Sequence, residues 1–318
     1  MVVDAAIDEV SNAASNAATA AAPPSRKLLL GLIGAGIARS LTPAMHEEEA
    51  RHHGIKLHYQ LIDIERDARG AAALPMLLDA ARTMGFAGLN ITYPCKQAVM
   101  ALLDDLSPEA RAIGAVNTVV INGERLIGHN TDASGWASGF TRALPQADLS
   151  RVVLLGAGGA GAAIAHAALR LGVAELRIHD RDPAKATELA AELAGAYGPG
   201  RANAQHDVTT ALRGATGLIH ATPTGMDKLP GLPLPEHLVQ PTLWVSEIVY
   251  FPLDTALVRL ARARGCAVSD GSGMAVGQAV GAVERFTGRT PDAGRMQAHH
   301  KRLLQASVAS ALKAKNQT

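Results

Sequence analysis

Two groups of residues in this sequence have the types and spacing to do chemistry. The first is a set of polar side chains at the ends of expected strands. Ser40 and Thr42 stand in Ser40-Leu41-Thr42-Pro43, and Asn90, Thr92 and Lys96 in Asn90-Ile91-Thr92-Tyr93-Pro94-Cys95-Lys96. Asn117 lies in Gly114-Ala115-Val116-Asn117-Thr118, and Asp132 closes Asn130-Thr131-Asp132. Hydroxyls on a loop beside a helix N-terminus suit a polyhydroxylated or anionic ligand, and strand ends are where open α/β sheets place ligand groups. Several of these residues also have a plain structural reading. Thr42 suits the N-cap of a helix over Ala44 to His53, with Pro43 in its first turn, and Asp132 the N-cap of a helix over Ala133 to Ala143. Lys96 is expected in the first turn of a helix running to about Leu106. A cation there opposes the helix dipole, and a placement against local preference hints at function. Gln278 falls on a largely apolar helix, Met274 to about Phe286, where a buried amide needs polar partners.

The second group is the stretch VVLLGAGGAGAAIAHAALRLGVAELRIHD, residues 152–180. A short apolar run of the kind found in a doubly buried parallel strand leads into Gly156, Gly158, Gly159, Ala160 and Gly161. The first glycine permits a tight turn, the next lets backbone approach a pyrophosphate, and the last lets helix and strand pack closely. The helix that follows offers free N–H groups and a positive dipole end to phosphates. A second strand, Glu175 to His179, delivers Asp180, whose carboxylate can accept hydrogen bonds from both hydroxyls of an adenosine ribose. Strand, glycines, helix, strand and acid in that order specify a dinucleotide site far better than the glycines alone. Asp182 has a cap role before Pro183; Asp180 has none and keeps the ribose. A 2′-phosphate about 4 Å from that carboxylate is repelled by ~1 kcal/mol in water and ~4 kcal/mol at an effective dielectric near 20. NAD is therefore favoured over NADP, although Arg181 is a residue an NADP site would use. Thr222, on a turn that should edge the cofactor crevice, and Gly271, after the last strand, complete the cofactor side.

Apolar runs alternating with helical segments along the whole chain indicate an α/β fold in two domains. Residues 27–132 are expected to form a mainly parallel α/β substrate domain and residues 133–273 a Rossmann dinucleotide-binding domain. Residues 274–310 are read as C-terminal helices. Residues 1–26, rich in Ala, Asn and Ser, read as a disordered tail: Asp4, Asp8 and Glu9 spoil a signal peptide. The 318 residues are 48% hydrophobic with a net charge of +1. That balance provides no basic face for nucleic acid, and no stretch of about twenty apolar residues suits a membrane. Cys95 and Cys266 are the only cysteines and lack metal-ligand spacing, which fits a reduced cytoplasm. The histidines, including His52-His53 and His299-His300, complete no metal site and are read as surface residues.

Taken together and in order, these clusters resemble the shikimate dehydrogenase family, over about Leu28 to Leu304. Ala221-Thr222-Pro223, Val249-Tyr250 and Gln278 belong to the same resemblance. It implies a substrate domain and a Rossmann domain with the cleft between them, the C-terminal helices of 274–310 returning to the first domain, and Lys96 and Asp132 as the catalytic pair. Ser40 and Thr42 would hold a substrate carboxylate, with Tyr250 near it, while Thr92, Asn117, Asp132 and Gln278 would bind ring hydroxyls. Thr42 stands where plain shikimate dehydrogenases usually carry serine, and Asp180-Arg181-Asp182 where they carry an Asn-Arg-Thr type motif for NADP. Both departures are similar to the NAD-preferring quinate/shikimate dehydrogenases of bacteria. The expected activity is reversible NAD-dependent oxidation of the C3 hydroxyl of quinate or shikimate, by a monomer or homodimer. The alternatives are an NADP-dependent biosynthetic shikimate dehydrogenase and a ligand-sensing homologue without turnover.

Overall fold

The computed structural model describes residues 27–315, so the tail expected over 1–26 lies outside the described residues. Two six-stranded sheets follow one another along the chain. The first is built from β1 (Lys27–Gly34), α1 (Thr42–His52), β2 (Lys56–Asp63), α2 (Leu74–Thr83), β3 (Gly88–Ile91), β4 (Asp105–Leu106), α3 (Pro108–Ile113), β5 (Thr118–Asn122) and β6 (Arg125–His129). Its order is β2-β1-β3-β5-β6-β4. The pairs β1–β2, β1–β3 and β4–β6 are parallel, whereas β5 runs antiparallel to both β3 and β6. Because β5 reverses, its N-terminal end and the C-terminal ends of β1, β3 and β6 lie at one edge. Asn117 precedes β5 and Asp132 follows β6, so this topology brings Ser40, Thr42, Thr92, Lys96, Asn117 and Asp132 to a single rim, whereas Tyr250 and Gln278 come from later in the chain.

The second sheet contains β7 (Arg151–Leu155), β8 (Glu175–His179), β9 (Ala202–Ala204), β10 (Gly217–His220), β11 (Trp244–Glu247) and β12 (Ala267–Ser269). Its order, β12-β11-β10-β7-β8-β9, is parallel throughout. It is layered with α4 (Asp132–Ala143), α5 (Gly159–Arg170), α6 (Pro183–Tyr197), α7 (Val208–Leu212) and α8 (Ala256–Ala263). Strand order reverses between β7 and β10, which opens the crevice where doubly wound sheets take their ligands. Val152, Val153, Leu154 and Leu155 of β7 are buried on both faces, as their uninterrupted apolar run requires. The chain ends with α9 (Ser272–Thr287) and α10 (Ala293–Lys315), which pack back on α1.

α4 and α9 cross almost backbone to backbone. A Cβ placed on Gly135 would lie 2.4 Å from Gln278 N, and one on Gly277 would lie 2.5 Å from Gly135 O. One turn along, a Cβ on Gly139 would lie 2.6 Å from the carbonyl carbon of Gly273. Glycines spaced by four share a helix face, so each helix offers the other a groove with no side chain in it.

Four local expectations need correction. Lys96 is not in a helix: it sits in a turn ahead of a short 3₁₀ segment, Ala98–Leu102. The expected helix to Leu106 is replaced by β4, because Asp104 and Ser107 donate backbone N–H groups to Leu126 and Gly128 on β6. Thr42 caps nothing; it is the first residue of α1, and its own N–H is turned toward Ser40 Oγ at 3.3 Å. Asp132 likewise begins α4, and the cap is Asn130, whose Oδ1 accepts from the N–H groups of Asp132 and Ala133 at 3.0 and 3.3 Å. Finally, His46, His166, His220 and His300 are buried, against the surface reading of the histidines.

Candidate active site

Relieved of capping, Asp132 is free for other work. Its Oδ2 accepts from Lys96 Nζ at 2.6 Å and its Oδ1 from Asn117 Nδ2 at 2.9 Å. Asp132 is buried and Lys96 half-buried, so the ion pair opens to solvent only on the lysine side. Behind it runs a buried polar chain. Asn117 Oδ1 accepts from Thr131 N and Thr118 Oγ1, and Asn90 Nδ2 donates to Thr118 Oγ1 and Asn117 O. Tyr59 donates to Asn90 Oδ1 at 2.7 Å. Both ends of the Asn117 amide are thus occupied within the protein. A fully satisfied buried network of this kind rigidifies what it supports. Tyr59, Thr118 and Asn130 are not among the residues expected to bind a ligand; of these, Thr118 and Asn130 lie in the quoted clusters and only Tyr59 carries no local signal.

On the same rim Ser40 Oγ donates to Thr42 Oγ1 at 3.0 Å, which sets two hydroxyls side by side before α1. Thr92 follows β3, its hydroxyl without a protein partner among the described residues. The loops meet because Thr92 N and Ala35 N donate to Ile33 O and Tyr93 O across the β1–β3 pair. Gln278 lies where α9 crosses Gly135, one turn from Asp132, and its Nε2 donates to Ala275 O at 2.9 Å. Tyr250 is 41% exposed. Even so, desolvation of its hydroxyl end, and then the Asp132 charge, push its phenol above the usual value.

The dinucleotide-side residues gather at the reversal of the second sheet. Gly156 has φ +104°, a backbone conformation that favours glycine. A Cβ on Gly161 would lie 2.0 Å from Gly156 O, so only glycine lets α5 come this close to β7. A Cβ on Gly158 would meet nothing within 4 Å, so the turn is open where a phosphate would approach. Gly159 and Ala160 form the first turn of α5, their N–H groups unspent by any side-chain cap. Asp180 has a structural role that its sequence position hid: Oδ2 accepts from Ala157 N at 2.7 Å and Oδ1 from Asp182 N at 2.9 Å. Its charge is thereby fixed against the glycine turn. Arg181 is exposed and forms no ion pair among the described residues. Thr222 lies against Gly156 and Gly271 against Val249 O. The two halves of the site touch directly, since a Cβ on Gly159 would lie 3.6 Å from Lys96 Cβ and 3.3 Å from Ala115 Cβ.

Residues 32–119 match the family described as the shikimate dehydrogenase substrate binding domain. A shikimate dehydrogenase (NADP(+)) of Streptomyces avermitilis is 56% identical over 272 residues, 85% of this chain and 94% of its own. The chain belongs to the shikimate dehydrogenase family. A quinate/shikimate dehydrogenase (NAD(+)) of the same family from Corynebacterium efficiens is 46% identical over 85% of this chain and 96% of its own. Among solved shikimate dehydrogenase family structures, the quinate dehydrogenase of Corynebacterium glutamicum in complex with NAD aligns with a TM-score of 0.79 at 42% identity. That alignment covers 86% of this chain and 99% of that one. Family members with these names are oxidoreductases acting on a hydroxyl group. Among the described residues no group of side chains could hold a metal ion, and no helix is long and apolar enough to cross a membrane.

Proposed function

We propose that the protein is an NAD-preferring quinate/shikimate dehydrogenase that oxidises the C3 hydroxyl of quinate or shikimate to the corresponding 3-dehydro acid, reversibly. The observation that carries the cofactor choice is the Asp180 carboxylate, held at the glycine turn by Ala157 N. A negative charge there can accept from the two hydroxyls of an adenosine ribose and repels a 2′-phosphate. The open Gly158 and the free N–H groups of Gly159 and Ala160 fit a diphosphate at the start of α5.

A bound nicotinamide supplies the hydride acceptor. The remaining chemistry belongs to the chain. Ser40 and Thr42 orient the substrate carboxylate with Tyr250 nearby, and Thr92 and Gln278 hold ring hydroxyls. The reacting O–H must lose its proton as hydride leaves the same carbon, so an acid/base group within hydrogen-bond reach is required. Lys96, with Nζ 2.6 Å from Asp132 and 18% of its side chain exposed toward the cleft, is the group so placed. The Lys96–Asp132 pair takes the proton in oxidation and returns it in reduction. Asn117 keeps Asp132 aimed at the lysine.

A second reading, an NADP-dependent shikimate dehydrogenase, is favoured by one observation: the unpaired, exposed Arg181 beside Asp180, in a chain 56% identical to the NADP(+)-named Streptomyces relative. Initial rates with quinate and shikimate, each with NAD⁺ and NADP⁺, separate the readings. Turnover of both acids with NAD⁺ supports the proposal. Turnover of shikimate alone, with NADP⁺ alone, replaces it with the second reading. Binding of dinucleotide without NADH formation would leave a ligand-sensing homologue.

A further inference from the structure

His220 and Glu247 are opposite one another in register at the C-terminal ends of β10 and β11, both essentially without solvent exposure. His220 Nδ1 lies 2.8 Å from Glu247 Oε1, and His220 Nε2 lies 2.5 Å from Thr222 Oγ1. The carboxylate has no room for a ligand. Its Oε1 also accepts from Val249 N at 3.0 Å, and its Oε2 accepts from Thr255 Oγ1 at 2.9 Å. Burying polar groups of this kind costs desolvation that their hydrogen bonds must offset, and apolar side chains could fill the same space. What this pair does locally is hold one hydroxyl at the crevice.

Thr222 follows β10 and faces the first glycine of the phosphate turn: a Cβ on Gly156 would lie 3.0 Å from Thr222 Cγ2. Its hydroxyl is turned inward to His220, where it also receives Thr224 N at 3.3 Å. With χ1 limited to staggered wells, a Thr222 released from His220 can swing its hydroxyl outward, and the loop carrying it loses an anchor. We infer that His220, held by Glu247, is a positioning residue for the dinucleotide. It locks Thr222 so that a methyl group walls the crevice and the backbone N–H groups of Gly158 to Gly161 remain the only donors facing the diphosphate.

This inference rests on the dinucleotide reading of the site, and the test separates the two. NADH binding is titrated by its fluorescence for the wild type, His220→Phe, Thr222→Val and the double variant, with substrate KM measured alongside. Because both substitutions break the same link, each should weaken NADH binding about tenfold, the size of one or two lost hydrogen bonds. The double variant should be no weaker than the worse single one, with substrate KM within twofold of wild type. Additive losses, or substrate KM rising in step with NADH dissociation, would make His220 an ordinary core residue and overturn the inference. If His220→Phe does not fold, Thr222→Val decides alone: weaker NADH binding supports the link, and unchanged binding refutes it. A wild type that binds no NADH but does bind NADPH would count against the cofactor choice proposed above, and the same four proteins titrated with NADPH would then test the link.

Discussion

Replacing Asp180 by asparagine tests the cofactor assignment most sharply. The carboxylate accepts from Ala157 N and Asp182 N with one oxygen each. Asparagine keeps one acceptor and turns an NH₂ group toward the other N–H, so some loosening of the glycine turn is expected. That damage falls on both cofactors and cancels in the ratio of kcat/KM for NAD⁺ to that for NADP⁺. The charge does not cancel. At about 4 Å, a unit charge on the 2′-phosphate is repelled by ~1 kcal/mol in water and ~4 kcal/mol at an effective dielectric near 20. The ratio should therefore fall by between about fivefold and a thousandfold. The NAD⁺ value should itself drop, because hydrogen bonds to a charged acceptor contribute about 1.5–3 kcal/mol. Raising the salt should compress the wild-type ratio more than the variant's, since screening acts only on the charge. Asp182→Asn is the control: it removes a neighbouring charge but leaves an equally good helix cap. A ratio unchanged within twofold in Asp180→Asn, with a lowered melting temperature, would make Asp180 a brace for the turn and refute the electrostatic argument.

Three other outcomes follow from the geometry. Lys96→Ala should lower kcat by about 10²- to 10⁴-fold with little change in substrate affinity; equal losses in both, measured by steady-state kinetics and substrate titration, would remove Lys96 from the proton step. Gly277→Ala drives a methyl group to within 2.5 Å of Gly135 O, and such overpacking should cost about 1–3 kcal/mol, read as a lower melting temperature with reduced kcat; an unchanged melting temperature would mean that α4 and α9 separate freely. His46 is held neutral by burial, with its pKa lowered from 6.5 to about 4 despite its bond to Thr42 O. The unfolded chain therefore binds the extra proton first, and stability falls as pH drops from 6.5 toward 4, by about 3 kcal/mol in full. Urea unfolding of His46→Leu should show a shallower loss over that window than the wild type, and parallel slopes would refute the assignment.

What could be read before the fold was known was what is local. The glycine turn, its helix and Asp180 occupy one continuous stretch, and each of their constraints acts between near neighbours. Lys96 and Asp132 are legible as polar residues near strand ends, and the structure sets them together, although neither holds the helical position expected of it. Lys96 has no α-helix around it: its carbonyl accepts from Val116 N, far along the chain, and not from a helical N–H. Asp132 does not cap, since Asn130 does. Asn117 and Asp180 are legible only in part: the sequence indicates a polar group at each place, not that Thr118, Thr131 and Asp132 occupy the one and Ala157 N and Asp182 N the other. His220 and Glu247 gave no signal at all, because each is a single residue in a strand and their relation exists only through sheet register.

The glycine crossing of α4 and α9 bears on how such a molecule could open. With no side chain between them, these two helices have no room to slide past or toward one another, so a swing of one sheet against the other would strain the crossing least if it turned about that line. Points on an axis do not travel. Asp132 begins α4 and Gln278 sits at the crossing itself, so the residues that would grip the reacting hydroxyl lie near zero radius. The turn at Gly158 and the loop at Thr222 belong to the second sheet and would move with it. Opening and closing would thus carry the hydride acceptor to and from a proton-handling centre that stays assembled throughout.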